Sequence, residues 1–109
     1  MKRVSIVLLL ALACCGACRK QDSRIARIHV PEMKNRACVE RVVHAVSRVP
    51  NVRSDSIKVE AVSRDVTVLY DSISLSLKNI EFAIADAGFA ANDVPANAAA
   101  AQKLPPECR

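Results

Sequence analysis

The sequence predicts an α+β domain in which two helices cover one face of a four-stranded antiparallel sheet. Short stretches alternate apolar and polar residues, as strands do, and two longer stretches repeat an apolar residue every three or four positions, as helices do. These stretches follow one another in the order strand, helix, strand, strand, helix, strand. That order is typical of the ferredoxin-like βαββαβ sandwich.

The first half of the predicted domain is a strand followed by a helix. Residues 25–30 alternate as a strand does, and Pro31 ends them. Residues 37–48 predict a helix, and Asn35 can cap its start by accepting a hydrogen bond from a first-turn N–H group. Asn51 follows the helix, where asparagine tolerates a left-handed backbone. The apolar stripe of this helix consists of Cys38, Val39, Val42, Val43, Val46 and Val49.

The second half of the predicted domain begins with two alternating stretches, at residues 57–61 and 66–71, which predict a pair of strands. Residues 75–87 predict the second helix, and Gly88 is its stop signal. Residues 89–92 predict the short fourth strand that completes the sheet.

The first 17 residues predict a secretory leader. Lys2 and Arg3 precede an apolar run at residues 4–13, and small residues follow it. The run is shorter than the roughly 20 apolar residues that a membrane-spanning helix needs. The cysteines directly after it resemble a bacterial lipoprotein cleavage site, although cleavage near Ala17 without a lipid is the alternative. The lipidation candidates are Cys18, which we favour, Cys15 and Cys14.

Four segments follow from these signals. They are the leader at 1–17, a linker at 18–23, the folded domain at 24–94 and an alanine- and proline-rich tail at 95–109 that carries Cys108. The leader places the mature protein in a bacterial cell envelope, either in the periplasm or anchored to a membrane by its lipid.

Composition argues against two classes of function. Loss of Lys2 and Arg3 with the leader leaves 14 basic and 11 acidic residues, a net charge of +3. The basic residues are dispersed and aromatic residues are scarce, so we expect no nucleic-acid partner. The chain contains two glycines, no phosphate-binding loop and no catalytic motif, so we do not expect an enzyme.

The run from Met33 to Cys38, Met-Lys-Asn-Arg-Ala-Cys, lies between the first strand and the first helix. It resembles the Met-x-Cys-x-x-Cys signature of heavy-metal-associated domains, with Asn35 in place of the first cysteine. In that family two thiolates hold a soft cation such as Cu(I) or Hg(II), because polarisable sulfur prefers such ions. The resemblance covers residues 24–94 through further stretches: Val30-Pro31-Glu32-Met33, Val49-Pro50-Asn51-Val52, Val66-Thr67-Val68-Leu69-Tyr70-Asp71 and Ala87-Gly88-Phe89.

Cys38 is the thiol that the motif retains. The positive end of the helix dipole lowers the pKa of a thiol in the first turn, and a position just after a loop predicts exposure. One thiolate alone holds a soft ion poorly, so metal binding needs a second donor. Cys108 is the first candidate and Met33 the weaker one, since the resemblance implies that Met33 packs inward.

Cys38 and Cys108 have two competing roles. In an oxidising compartment they can form a structural disulfide, which blocks metal binding unless it is reduced. A disordered tail with an incidental thiol at Cys108 is a third possibility. His29 and His44 have no partner at metal-ligand spacing, and we expect them at surface or strand positions.

The resemblance implies an exported protein that binds or transfers a soft metal ion, with Cu(I) as one candidate. Transfer would proceed by ligand exchange with a donor or acceptor protein of the envelope, from a monomer or from a dimer bridged by metal between two Cys38 thiolates. The alternative is a metal-free structural or interaction module, which Asn35 supports.

Overall fold

The computed structural model describes residues 21–109. The predicted leader and the lipidation candidates Cys14, Cys15 and Cys18 lie outside the described residues. Within residues 21–109 no helix is long and apolar enough to cross a membrane.

The described chain forms one three-stranded antiparallel sheet, with the order β1, β3, β2. Strand β1 is Ser23–His29, β2 is Lys58–Glu60 and β3 is Asp65–Asp71. The register places Ser23 opposite Asp71 at one end of the long pair and His29 opposite Asp65 at the other. The strands predicted at 25–30, 57–61 and 66–71 therefore form, with ends shifted by a few residues.

Three α-helices accompany the sheet in the described residues. Helix α1 is Arg36–Ser47, α2 is Leu77–Asp86 and α3 is Ala98–Gln102. Two single-turn 3₁₀ helices are Ser54–Ser56 and Pro106–Cys108. The first two α-helices confirm the predictions at 37–48 and 75–87, whereas α3 lies in the tail, for which we predicted no element.

The prediction of a fourth strand at residues 89–92 is wrong, because the described residues contain three strands. The chain reaches the free edge of β1, where the N–H of His29 donates to Asn92 Oδ1 at 2.8 Å and the N–H of Asn92 donates to the carbonyl of His29 at 2.9 Å. Asn92 has φ +52°, a left-handed backbone that a strand cannot continue. Ala91 and Val94 then pair across a tight turn, so the chain reverses instead of extending the sheet.

The hydrophobic core lies between α1, α2 and one face of the sheet. Alternate residues of β1 and β3 point into it, and α1 contributes a stripe with a spacing of four residues. The tail contributes its last two members, which the sequence placed outside the domain. The core consists of Ala26, Ile28, Val30, Met33, Cys38, Val42, Val46, Val66, Val68, Ile80, Ile84, Phe89, Ala91, Leu104 and Cys108.

Candidate metal centre

The loop before α1 ends in a well-formed helix cap. Asn35 is the N-cap residue, in extended conformation, and its side-chain Oδ1 accepts a hydrogen bond from the N–H of Cys38 at 3.0 Å. Its carbonyl accepts from the N–H of Val39 at 3.0 Å. Asn35 thus satisfies two N–H groups of the first turn, as predicted.

Met33 lies under the loop rather than beside it. Its side chain is 2% exposed and belongs to the core. This burial agrees with the inward packing that the resemblance implied, and it gives the methionine a packing role that needs no metal.

Cys38 is the third residue of α1 and is fully buried. The prediction that its position after a loop exposes it is wrong. Cys38 begins the inward stripe of α1, followed by Val42 and Val46, and Cys108 of the tail is packed in the same core and bonded to it. Long-range packing, which the local pattern does not contain, causes this burial.

The tail runs back across the helices to the start of α1. It is fastened first at Asn97, whose N–H donates to the carbonyl of Ala85 in α2 at 2.9 Å. The Asn97 side chain then caps α3 by accepting from the N–H of Ala100 at 3.0 Å. Beyond α3, Leu104 is 5% exposed and packs into the core.

Cys38 and Cys108 are joined by a disulfide in this structure. Their Cα atoms are 5.6 Å apart across a sequence separation of 70 residues, and both residues are fully buried. Of the possibilities left open by the sequence, the structure brings the two cysteines together. It does not place the tail away from the domain.

Polar contacts surround the disulfide at the end of the chain. Lys34 Nζ donates to the main-chain oxygen of Arg109 at 3.2 Å, and the main-chain oxygen of Glu107 lies 3.8 Å from Cys38 Sγ. Arg109 Nε donates to the carbonyl of Leu104 at 3.1 Å. These contacts connect residues 104–109 to the loop before α1 and to one another.

The donor set decides which ions the residues fit. Within residues 21–109 no group of three or more His, Cys, Asp or Glu side chains could hold a metal ion. His29 lies on β1, half exposed, with Nδ1 3.0 Å from Asp65 Oδ1, and His44 lies on α1 away from the cysteines. The reduced pair of thiols therefore fits a soft ion that accepts two sulfur ligands, whereas the disulfide offers no thiolate.

Two surface clefts flank this region without reaching the sulfur atoms. One, of about 300 Å³, is lined by Met33, Lys34, Asn35, Arg36, Val39 and Ala61. The other, of about 750 Å³, runs between α1 and α2 and ends at Leu104. Neither cleft is lined by Cys38 or Cys108, so the sulfur atoms are covered on both sides.

Both cysteines are predictable from the sequence as site candidates, but the contacts that bring them together were not predicted. Gly88 and Leu104 form the contact that seats the tail, and Asn97 fastens its start. Two signals were present: an asparagine directly before the alanine run, which is typical of a helix cap, and a single large apolar residue in an otherwise small and polar tail.

Comparisons with known proteins point to one family. The model of the family described as "HMA: Heavy-metal-associated domain" matches residues 27–90, well over half of the chain. Among solved structures the chain is similar to the crystal structure of oxidized MerP from Ralstonia metallidurans CH34, at 28% identity and a TM-score of 0.61. That similarity covers 65% of this chain and 96% of the other. No curated protein matches the chain.

These comparisons bear on the general function. They support heavy-metal binding or transfer in general, with a ferredoxin-like fold. The family match ends at residue 90. The tail that carries Cys108 therefore lies beyond the matched region.

Proposed function

Since the chain belongs to the heavy-metal-associated domain family, we propose that it binds and transfers a soft heavy-metal ion through Cys38 and Cys108. One observation supports this above all: the tail places Cys108 with its Cα atom 5.6 Å from that of Cys38. Asn35 stands where the family motif has its first cysteine. In this proposal Cys108, from the opposite end of the chain, provides the second thiol instead.

The disulfide must be reduced before this pair can bind an ion. A partner dithiol supplies two electrons and two protons: the S–S bond between Cys38 and Cys108 breaks, two S–H groups form, and the partner becomes the disulfide. Binding of the soft ion then displaces both protons and leaves two thiolate ligands. Release proceeds by stepwise exchange onto the thiols of an acceptor protein.

Cys38 lies at the positive end of α1. Its N–H is held by Asn35 at the start of α1, where the unpaired N–H groups give the helix end a positive potential. Lys34 adds a positive charge close to the chain end that carries Cys108. The positive helix end stabilises negative sulfur, whereas the full burial of Cys38 opposes its charged form.

The same proposal includes the location predicted from the sequence. A leader at 1–17 would export the protein to the envelope, with Cys18, Cys15 or Cys14 as the lipid-bearing residue. Its partners would then be a metal donor or acceptor protein and, with the lipid, a membrane. Cu(I) and Hg(II) are the ions that suit two thiolates.

A second function has its own supporting observation. Both cysteines are fully buried in a disulfide, and Asn35 is fully engaged as a helix cap. A metal-free module that uses the disulfide only to stabilise its fold would show the same two features. Such a module would serve as a structural or interaction domain of the envelope.

An anaerobic Cu(I) titration against a chromophoric competitor separates the two functions. The tested protein carries serine at Cys14, Cys15 and Cys18, so that Cys38 and Cys108 are its two remaining cysteines; we refer to it as the two-cysteine protein. After reduction we expect one tightly bound ion per chain. Cys38→Ser and Cys108→Ser should each weaken the affinity by about 100-fold or more, because one thiolate remains.

A loop-restoring variant is the matched control. Asn35→Cys combined with Cys108→Ser again provides two thiols, now both in the loop, and we expect it to compete for Cu(I). If this control competes while the reduced two-cysteine protein does not, the metal function through Cys108 is wrong and the metal-free module is favoured.

A further inference from the structure

The tail makes contacts with the domain that do not involve its cysteine. We propose that these contacts alone keep the tail docked when the disulfide is reduced, and that Leu104 is the positioning residue that holds the Cys108 thiol beside Cys38. The proposal concerns the organisation of the site in the proposed function. It makes a claim about the metal-free protein that can be tested separately.

The contact between Leu104 and Gly88 is the centre of this docking. Gly88 ends α2 with φ +101°, and a Cβ atom built there would lie 2.8 Å from Leu104 Cδ1 and 2.9 Å from the amide nitrogen of Ala101. The tail therefore occupies the space that any other side chain at position 88 would need. Leu104 is 5% exposed as a result, and burial of a leucine is a substantial driving force without any covalent bond.

Hydrogen bonds fasten the two ends of the same segment. The N–H of Asn97 donates to Ala85 at the start, and Lys34 Nζ donates to Arg109 at the end. Neither contact involves a sulfur atom. The disulfide is thus one of several links that hold residues 97–109 against the helices.

The spacer between Leu104 and Cys108 is short and stiff. Three residues separate them, and two of these are Pro105 and Pro106, whose rings fix the backbone φ angle. The N–H of Cys108 donates to the carbonyl of Pro105 at 2.9 Å, which closes a single 3₁₀ turn. Because little rotational freedom remains between the two residues, seating Leu104 also places the Cys108 thiol.

A docked tail changes the chemistry of the reduced site. Reduction adds two electrons and two protons from an external dithiol, breaks the S–S bond and leaves two neighbouring S–H groups. The two thiols remain close, so they re-form the disulfide or capture an ion with a high effective concentration. The two thiols are then already adjacent before an ion binds, and the tail does not have to dock first.

Hydrogen exchange tests whether the reduced tail stays docked. The full-length two-cysteine protein is reduced with dithiothreitol in the absence of metal, and amide exchange is followed by NMR. We expect the amides of Asn97 and Leu104 to exchange about tenfold or more slowly than in an unstructured peptide. Exchange at the unstructured rate in the reduced protein, with protection retained in α1, would overturn the proposal.

A redox titration against glutathione tests the role of Leu104. We expect Leu104→Ala to lower the effective concentration of the two thiols about tenfold or more, which raises the reduction potential by about 30 mV or more. The matched control is Leu69→Ala. Leu69 lies on β3 opposite Ile25 of β1, which is exposed, so Leu69 lies on the face of the sheet away from the core. Equal potentials for the two variants would show that Leu104 does not position the thiol.

The metal proposal and the docking proposal can fail independently. Neither hydrogen exchange nor the glutathione titration contains a metal ion, so a failed Cu(I) titration leaves their outcome unchanged. Conversely, an undocked reduced tail would refute the docking proposal even if Cu(I) binding itself brings Cys108 to Cys38.

Discussion

Helices α1 and α2 begin in the same way and yet differ in what covers them. In each helix the N-cap side chain accepts a hydrogen bond from the N–H three residues on, Asn35 from Cys38 in α1 and Ser76 from Asn79 in α2. In α2 the Asn79 side chain in turn accepts a hydrogen bond from the N–H of Ser76 at 3.0 Å, which completes a capping box. In α1 the corresponding side chain is a buried sulfur.

The comparison shows how the candidate site differs from an ordinary helix start. Asn35 caps α1 as Ser76 caps α2. A loop without the first cysteine of the motif therefore still starts a helix. What distinguishes α1 is the tail, whose Cys108 is bonded to Cys38 in the first turn. The candidate site therefore depends on a segment 70 residues away rather than on the loop alone.

The disulfide at the start of α1 has no counterpart at the start of α2, and its removal should cause the largest loss of stability. Its loop spans 70 residues, so the chain-entropy model predicts that the double variant Cys38→Ser, Cys108→Ser loses about 4 kcal/mol of unfolding free energy. Urea unfolding of the oxidised parent and of the variant measures this. A loss below about 1 kcal/mol would mean that the unfolded chain already keeps the tail near α1.

The residues after the two helices should respond very differently to alanine. Asn51 follows α1 with φ +67° and is exposed, whereas Gly88 follows α2 with φ +101° under the tail. We expect Asn51→Ala to cost about 1 kcal/mol through its backbone. Gly88→Ala should cost about 3 kcal/mol, because its Cβ also meets Leu104 and Ala101.

Urea unfolding of both alanine variants provides the comparison. The double variant Gly88→Ala, Leu104→Ala is the control, since a smaller residue at 104 relieves one of the two contacts. If Gly88→Ala cost no more than Asn51→Ala, the close packing of the tail over α2 would be contradicted.

The two caps should contribute equally, despite the candidate site beside one of them. Asn35→Ala and Ser76→Ala each remove one side-chain acceptor from the first turn, and each should cost about 1 kcal/mol. Asn35→Ser keeps an acceptor and should cost only a few tenths. Thermal or urea unfolding measures all three, and a much larger loss for Asn35→Ala would assign Asn35 a role beyond capping.

The smallest expected effect is electrostatic and belongs to α2. Lys78 Nζ donates to Asp93 Oδ1 at 2.9 Å, and this hydrogen bond holds the pKa of Asp93 below its ordinary value of 3.8. A carboxylate with a lowered folded pKa stabilises the fold above its unfolded pKa and loses that contribution as pH falls through the folded pKa. The loss should therefore appear below about pH 4.

Variant Asp93→Asn tests this pH dependence. It should be slightly less stable than the parent at pH 7, and the difference should shrink as the pH falls towards 3. Asp71→Asn is a useful comparison, because hydrogen bonds from the N–H groups of Asp22 and Ile73 lower the pKa of Asp71 without Lys78. An Asp93→Asn difference that stays constant from pH 7 to pH 3 would contradict the ion-pair explanation.

Local physics accounts for what the sequence predicted well. The cap at Asn35 and the left-handed backbone at Asn51 depend on residues within a few positions, so both were predicted and confirmed. The strand and helix periods are also local, and they placed three strands and two helices with ends shifted by a few residues. Met33 was expected in the core and is buried there.

The two predictions that the structure overturns both involve contacts between distant parts of the chain. Residues 89–92 have strand-like composition, but Asn92 uses its side chain to bind His29 and turns the chain back. Cys38 follows a loop, but residues from the tail bury it. Neither outcome is encoded within a short window of sequence, because each depends on a partner more than 60 positions away.

The sequence by itself therefore determined the order of three strands and two helices, the cap at the start of α1 and the pair of cysteines available for a site. These depend on backbone preferences and on the spacing of apolar residues, which act over one or two turns. The tertiary structure decided that Cys108 meets Cys38, because Leu104 is buried only once α2 offers the bare backbone of Gly88. Burial against a surface made by other segments is a property of the folded chain, and it converts two separate cysteines into one pair.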